Sequence, residues 1–192
     1  MIRCLITDGT FAVSGTANRA RWMAHLEHWI AEGIALVQIR ERDLPIRDLA
    51  ELTKAVLKIP NPLGTKILVN DRIDVALACG AHGVHLRDGS ISPTRFARQG
   101  FIVTVSCHRP EGADDTHGAS FVLLAPIFKP LSKTDRRLAL GTRAITDFCR
   151  RSPIPVLALG GISRENARDC IDAGAAGIAG ITCFGGSIHY PL

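Results

Sequence analysis

Short apolar runs alternate along this chain with segments whose apolar residues recur at helical spacing. Ile2–Thr7, Ala35–Arg40, Lys66–Asn70, Gly83–Leu86, Phe101–Ser106, Ser120–Leu124, Pro155–Leu159 and Ala176–Ile181 read as eight strands. Trp22, Leu26, Trp29 and Ile30 predict an amphipathic helix over roughly Asn18–Ala31. Ile46, Leu49, Leu52 and Val56 predict a second helix, with Pro45 at an early position and an end near Lys58. Asp71–Cys79, Thr94–Arg98, Thr142–Arg151 and Ser163–Ala173 read as further helices, whereas Pro110–Gly118 holds little more than a helical turn or two. Pro126–Leu140 is a basic, proline-interrupted loop, long enough to serve as a lid.

Eight strands alternating with helices predict a compact (β/α)8 barrel, with a doubly wound sheet as the alternative. The length, 192 residues, favours a single domain over 1–192. A (β/α)8 barrel typically takes about 250 residues, so loops and some helices must be trimmed. Phe184–Leu192 is too short and glycine-rich for a normal eighth helix. An apolar flank buried in a homo-oligomer is therefore expected.

Composition narrows the function classes. No apolar run approaches membrane-spanning length, and the first apolar run is too short for a signal peptide, so a cytoplasmic location is expected. Six scattered cysteines without a CxxC read as free thiols. His25 and His28, three apart on the first helix, lack an evident third metal ligand and read as helix surface. The net charge of +5 rests mainly on arginine, which suits bidentate phosphate recognition. Its dispersal, with few aromatics and no nucleic-acid motif, points to small phosphorylated substrates rather than nucleic acid.

Reactive groups of a (β/α)8 barrel sit at the C-terminal ends of its strands. There this chain carries Gln38, Arg40 and Arg42; Asn70 and Asp71; His85, Arg87, Asp88 and Ser90; Ser106 and His108; and Lys129, Ser132 and Lys133 in the sixth loop. The seventh and eighth strands end on Gly160 and Gly161 and on Gly180, Ile181 and Thr182. Ser163 opens a segment read as a helix start, so the two glycine-rich tips suggest a phosphate cup of backbone N–H groups. Tight turns alone would also account for the glycines.

In order, Val37-Gln38-Ile39-Arg40-Glu41-Arg42, Val69-Asn70-Asp71, Gly83-Val84-His85-Leu86, Ser106-Cys107-His108, Ala125-Pro126-Ile127-Phe128 with Ser132-Lys133, and Leu159-Gly160-Gly161-Ile162 resemble the signatures of one family. It contains thiamine phosphate synthase and the related thiazole tautomerase, and the resemblance runs from about Ile6 to Thr182. It implies an enzyme that couples 4-amino-5-hydroxymethyl-2-methylpyrimidine diphosphate to thiazole phosphate and releases diphosphate. By that resemblance Arg40, Arg42, Asn70, Ser106 and Lys133 match diphosphate contacts, and Gln38 a pyrimidine contact. Asp71 matches a Mg²⁺ ligand, and Gly161, Ile181 and Thr182 match the thiazole-phosphate cup.

The chain also departs from the family pattern. Arg42 stands where lysine is usual, and Pro130 replaces a threonine. After the fourth strand, Ser90 stands where an aspartate completes the metal site, and Asp88 lies two residues early. Asp88 is therefore expected as a substitute second ligand for Mg²⁺. The segment Gly89–Pro93 is closer to the tautomerase branch, in which the histidine matching His108 moves the proton that aromatises the thiazole without a metal. A non-catalytic thiazole-phosphate binder is a third reading.

Overall fold

A computed structural model describes residues 1–13, 15–96, 100–129 and 138–185. Lys133, Ser132, Pro130 and most of the expected lid lie outside the described residues. The elements run β1 (Ile2–Ile6), α1 (Thr16–Ala31), β2 (Leu36–Ile39), α2 (Ile46–Leu57), β3 (Lys66–Asn70), α3 (Ile73–Cys79), β4 (Gly83–Leu86), β5 (Ile102–Cys107), β6 (Phe121–Leu124), α4 (Arg143–Arg151), β7 (Val156–Ala158), α5 (Ala167–Asp172) and β8 (Gly177–Gly180). Short 3-10 turns occupy Pro93–Arg95, Pro110–Thr116 and Thr182–Phe184.

All strands are parallel and pair in sequence order, and β1 closes on β8 with Ile2 opposite Gly177. This is the (β/α)8 barrel that the alternation predicts, not the doubly wound sheet. Strand side chains alternate between two packed layers. Leu5, Val37, Ile39, Val69, Val84 and Leu86 face outward into the main core, with Trp22, Leu26 and Ile30 of α1 and Leu49, Leu52 and Val56 of α2. Cys4, Ile6, Leu36, Leu68, Leu123, Leu157 and Ala179 fill the barrel interior. One strand step above Leu36 and Leu68, the interior rows turn polar at Gln38 and Asn70, and β4 and β5 add His85, Thr104 and Ser106. Ile46, assigned to the buried face of α2, is 55% exposed because it stands at the first position of the helix.

Two element boundaries differ in ways that matter for the site. The segment read as a helix from Ser163 becomes helical only at Ala167. The Asn166 side chain accepts the Ser163 N–H at 2.8 Å and donates to Gly161 O at 2.9 Å, making a turn where a first helical turn is expected. Beyond β8, the described residues form a 3-10 turn ending at Gly185 rather than a helix. A groove of about 1240 Å³ lies along this flank, lined among others by Trp22, Trp29, Ile178, Arg164 and Phe184. Phe184 packs on α1 there: its ring meets Trp29 edge-on at 5.3 Å, and its carbonyl accepts Trp29 Nε1–H at 2.9 Å.

The thiols agree with the expectation: all six cysteines are free, with Cys4, Cys107 and Cys170 buried. No helix among the described residues is long and apolar enough to cross a membrane.

Candidate active site at the C-terminal mouth of the barrel

The floor of the mouth is a buried polar layer. Gln38 and Asn70 are 2% and 8% exposed. Gln38 Nε2 donates to Asn70 Oδ1 at 2.9 Å, which fixes both amides. Gln38 Oε1 is buried and has no hydrogen-bond partner. A buried carbonyl without a partner is costly, and here the unpaired oxygen stands in the layer beneath the mouth.

His85 faces the same layer from β4. Its Nδ1 lies 2.8 Å from Thr104 Oγ1 and its Nε2 lies 2.9 Å from Ser106 Oγ. Burial pushes its pKa down to about 3, with Arg40, Arg42 and His108 acting in the same direction. The ring is therefore neutral at ordinary pH. One ring nitrogen donates and the other accepts, while each hydroxyl can take the complementary role. Ser106 is held in place by this bridge.

Cations rise from the end of β2. Arg40 is half-buried and Arg42 exposed. Burial, then Arg42, holds the Arg40 guanidinium below the ordinary arginine range, while Glu41, Asp43 and Asp71 pull it up. Two neighbouring guanidiniums of this kind favour an anion between them. Glu41 points elsewhere. It is 3% exposed and accepts Gly9 N–H at 3.2 Å and Phe11 N–H at 2.9 Å, tying the loop after β1 to β2. The sequence reading missed this role. The only signal was an acid placed one strand step out of phase with Arg40 and Arg42.

His108, at the end of β5, is half-buried and donates Nδ1–H to Ala125 O at 2.8 Å. In the neutral ring Nε2 is then the proton-accepting nitrogen. His108 is among the charges that hold the His85 pKa down.

At the far side of the mouth, Gly160 and Gly161 have φ of +94° and +64°. A Cβ on Gly161 would lie 2.5 Å from Lys129 O, and one on Gly160 would lie 2.8 Å from Pro126 Cα. The chain after β6 therefore crosses directly over this pair, with Ile127 N–H on Leu159 O and Phe128 N–H on Gly160 O. Left-handed turns and close approach both require glycine here, as the turn reading supposed. Ile181 is half-buried, and Thr182 is exposed at the start of its 3-10 turn.

Of the two expected metal ligands, Asp71 is paired within the chain. Asp71 Oδ2 accepts Arg87 Nε–H at 2.7 Å. Arg87 and Ser90 close a tight turn, with Ser90 N–H on Arg87 O at 3.2 Å. Asp88 lies within that turn and is half-buried, and the Cys107 thiol beyond it is pushed up mainly by burial. Cys107 belongs to the outward-facing core. Among the described residues, no three His, Cys, Asp or Glu side chains are grouped to hold a metal ion. With Asp71 engaged by Arg87 and Ser90 offering only a hydroxyl, the pair of carboxylates that the resemblance calls for is not assembled at these two positions. His25 and His28 likewise belong to no such group.

Comparison with known proteins gives the family. Residues 4–184 match the family model described as thiamine monophosphate synthase. A Geobacter sulfurreducens protein provisionally named a thiamine-phosphate synthase is 39% identical over 168 residues, 84% of this chain and 78% of that protein. The thiamine-phosphate synthase of Methanoculleus marisnigri is 35% identical over 177 residues, 89% of this chain and 84% of that protein. A solved structure, the thiamine phosphate pyrophosphorylase of Pyrococcus furiosus, superposes with a TM-score of 0.78 over 97% of this chain and 88% of its own, at 24% identity, which is a likeness of fold. With the match spanning nearly the whole barrel and its mouth, this chain belongs to the thiamine monophosphate synthase family.

Proposed function

We propose that this chain is a thiamine-biosynthesis transferase that couples 4-amino-5-hydroxymethyl-2-methylpyrimidine diphosphate to thiazole phosphate. The products are thiamine phosphate and diphosphate. The observation that carries this reading is the unpaired, buried Gln38 Oε1 in a fixed polar floor beneath Arg40 and Arg42. An acceptor held in that position suits the amino group of the pyrimidine, with the guanidiniums left for its diphosphate.

In the reaction the bond between the pyrimidine methylene carbon and the diphosphate oxygen breaks, its electron pair leaving with oxygen. The thiazole nitrogen then supplies the pair for the new carbon–nitrogen bond. Arg40 and Arg42 lower the barrier by meeting charge that grows on the departing diphosphate. Asn70 and the Ser106 hydroxyl supply polar contacts to that group. Neutral His85 acts as a positioning residue through its bond to Ser106. Gly160, Gly161, Ile181 and Thr182 form the wall assigned to the thiazole phosphate, and Lys133 is assigned to the diphosphate. Exclusion of water from the mouth would protect the electron-poor methylene.

The test is a paired assay of the purified chain. Coupling predicts thiamine phosphate from the two substrates. The tautomerase reading predicts instead conversion of the non-aromatic thiazole carboxylate phosphate to its aromatic form, lost in His108→Asn. Tight binding with no turnover of either substrate would indicate a non-catalytic binder. The names of the relatives favour coupling.

The partners proposed are small phosphorylated molecules, with no nucleic acid, and the place of action is the cytoplasm. A homo-oligomer covering the flank beside Trp29 is proposed as well. Sedimentation at micromolar concentration checks it, and a monomer there overturns it.

A further inference from the structure

Asp71 is the only described residue other than glycine with a positive φ, at +60°. Its N–H is tied to His85 O at 2.8 Å, and Arg72 N–H closes on Asn70 O at 2.7 Å around it. Aspartate tolerates this region better than most residues, yet such strain still costs about 1–3 kcal/mol. The carboxylate is thus fixed at the rim by its own backbone. Its partner comes from the next strand: Arg87 Nε donates at 2.7 Å, with Arg87 71% and Asp71 23% exposed. Asp71 also acts on Arg40. One carboxylate therefore lies within the field of two guanidiniums, and the rest of the Arg87 fork remains largely exposed.

We propose that Arg87 supplies, from within the chain, the cation that the family resemblance assigns to Mg²⁺, and that the mouth binds diphosphate without a divalent ion. The guanidinium anchored on Asp71 keeps donors for phosphate oxygens. Ser90, which offers a hydroxyl where the resemblance expects a second carboxylate, fits the same arrangement. Asp71 then serves as a positioning residue for Arg87. This inference rests on the reading of the mouth as a diphosphate site.

The experiment is calorimetry with inorganic pyrophosphate on the full chain, in EDTA and in Mg²⁺. Wild type should bind in EDTA, and Mg²⁺ should change the affinity less than about threefold. Arg87→Gln should weaken binding in EDTA about tenfold or more, as expected for a lost charge-assisted bond. Arg87→Lys, which keeps the charge without the fork, should recover part of that loss. The side chain is exposed, so urea denaturation should show all three proteins equally stable. Wild-type binding that requires Mg²⁺, no binding at all in EDTA, or equal binding by Arg87→Gln overturns the proposal. Thiamine phosphate formation is scored separately. Metal-free pyrophosphate binding that depends on Arg87, without coupling, keeps Arg87 as a diphosphate ligand and removes the transferase. Coupling that needs Mg²⁺ and ignores Arg87→Gln does the reverse.

Discussion

Gln38 spends its amide N–H on Asn70 Oδ1 at 2.9 Å and leaves its own carbonyl oxygen buried without a partner. Such an oxygen costs stability in the free protein and gains its bond when a donor arrives. Gln38→Met removes the unpaired carbonyl but also takes a donor from Asn70, so the two effects oppose. Unfolding free energy should change by less than about 1 kcal/mol, while kcat/KM for the pyrimidine substrate falls about tenfold or more. Urea denaturation and steady-state kinetics check this. A stability loss matching the kinetic loss would make the pair structural only.

The glycine pair needs a different test. Any side chain at Gly161 meets Lys129 O at 2.5 Å in a backbone with φ +64°, so Gly161→Ala should cost about 2 kcal/mol or more of stability whatever it binds. Thr182 is exposed, and Thr182→Asp should leave stability within about 0.5 kcal/mol. A carboxylate there faces a bound phosphate, and thiazole-phosphate affinity should fall about tenfold. Calorimetry on Thr182→Asp decides whether the cup is real; unchanged affinity removes it.

Strand periodicity made the barrel legible because it is a local property. The bounds read for β3 and β4 match those observed, and the others differ by one residue at one or both ends. Alternation also carried His85: between Val84 and Leu86, which face the helices, it must face inward. What the sequence did not show are contacts between strands. The Asp71–Arg87 pair joins two strand ends, so the family resemblance offered Asp71 as a metal ligand without its partner Arg87. The Ser163 segment carries good helix-start residues, but Asn166, three residues on, bonds back to Ser163 N–H and Gly161 O and delays the helix. Side-chain competition of this kind is invisible to apolar spacing.

Glu41 offers a prediction about the rim. It accepts two backbone N–H groups from the loop at Gly9 and Phe11, and the Phe11 ring packs on Trp22 at 5.0 Å. Glu41→Leu leaves both N–H groups without an acceptor and should cost about 2–4 kcal/mol. The loop should loosen locally first. Hydrogen exchange at the Gly9 and Phe11 amides should accelerate more than exchange in α2. Uniform acceleration would show that Glu41 serves global stability rather than this loop.

The last prediction concerns pH. Burial and the nearby Arg40, Arg42 and His108 push the His85 pKa from 6.5 down to about 3. Below pH 6.5 the unfolded chain takes up a proton that the folded chain refuses. Stability from this group is therefore complete above 6.5 and declines as pH falls toward 3, by up to about 1.4 kcal/mol per pH unit. His25 and His82, also pushed down mainly by burial, act in the same direction. Glu41, pushed up by burial, acts in the opposite one, since its folded form holds a proton more tightly. The informative quantity is thus the difference between wild type and His85→Asn, in which these other groups largely cancel. Urea denaturation between pH 4 and pH 7, roughly the window in which His85 takes up a proton on unfolding, should show the gap between the two proteins narrowing steadily on acidification. At pH 7 the variant should be the less stable, because Thr104 and Ser106 lose their bridge. A gap that stays constant with pH would mean that His85 accepts a proton in the folded barrel, and its neutral, positioning role at Ser106 would fall with it.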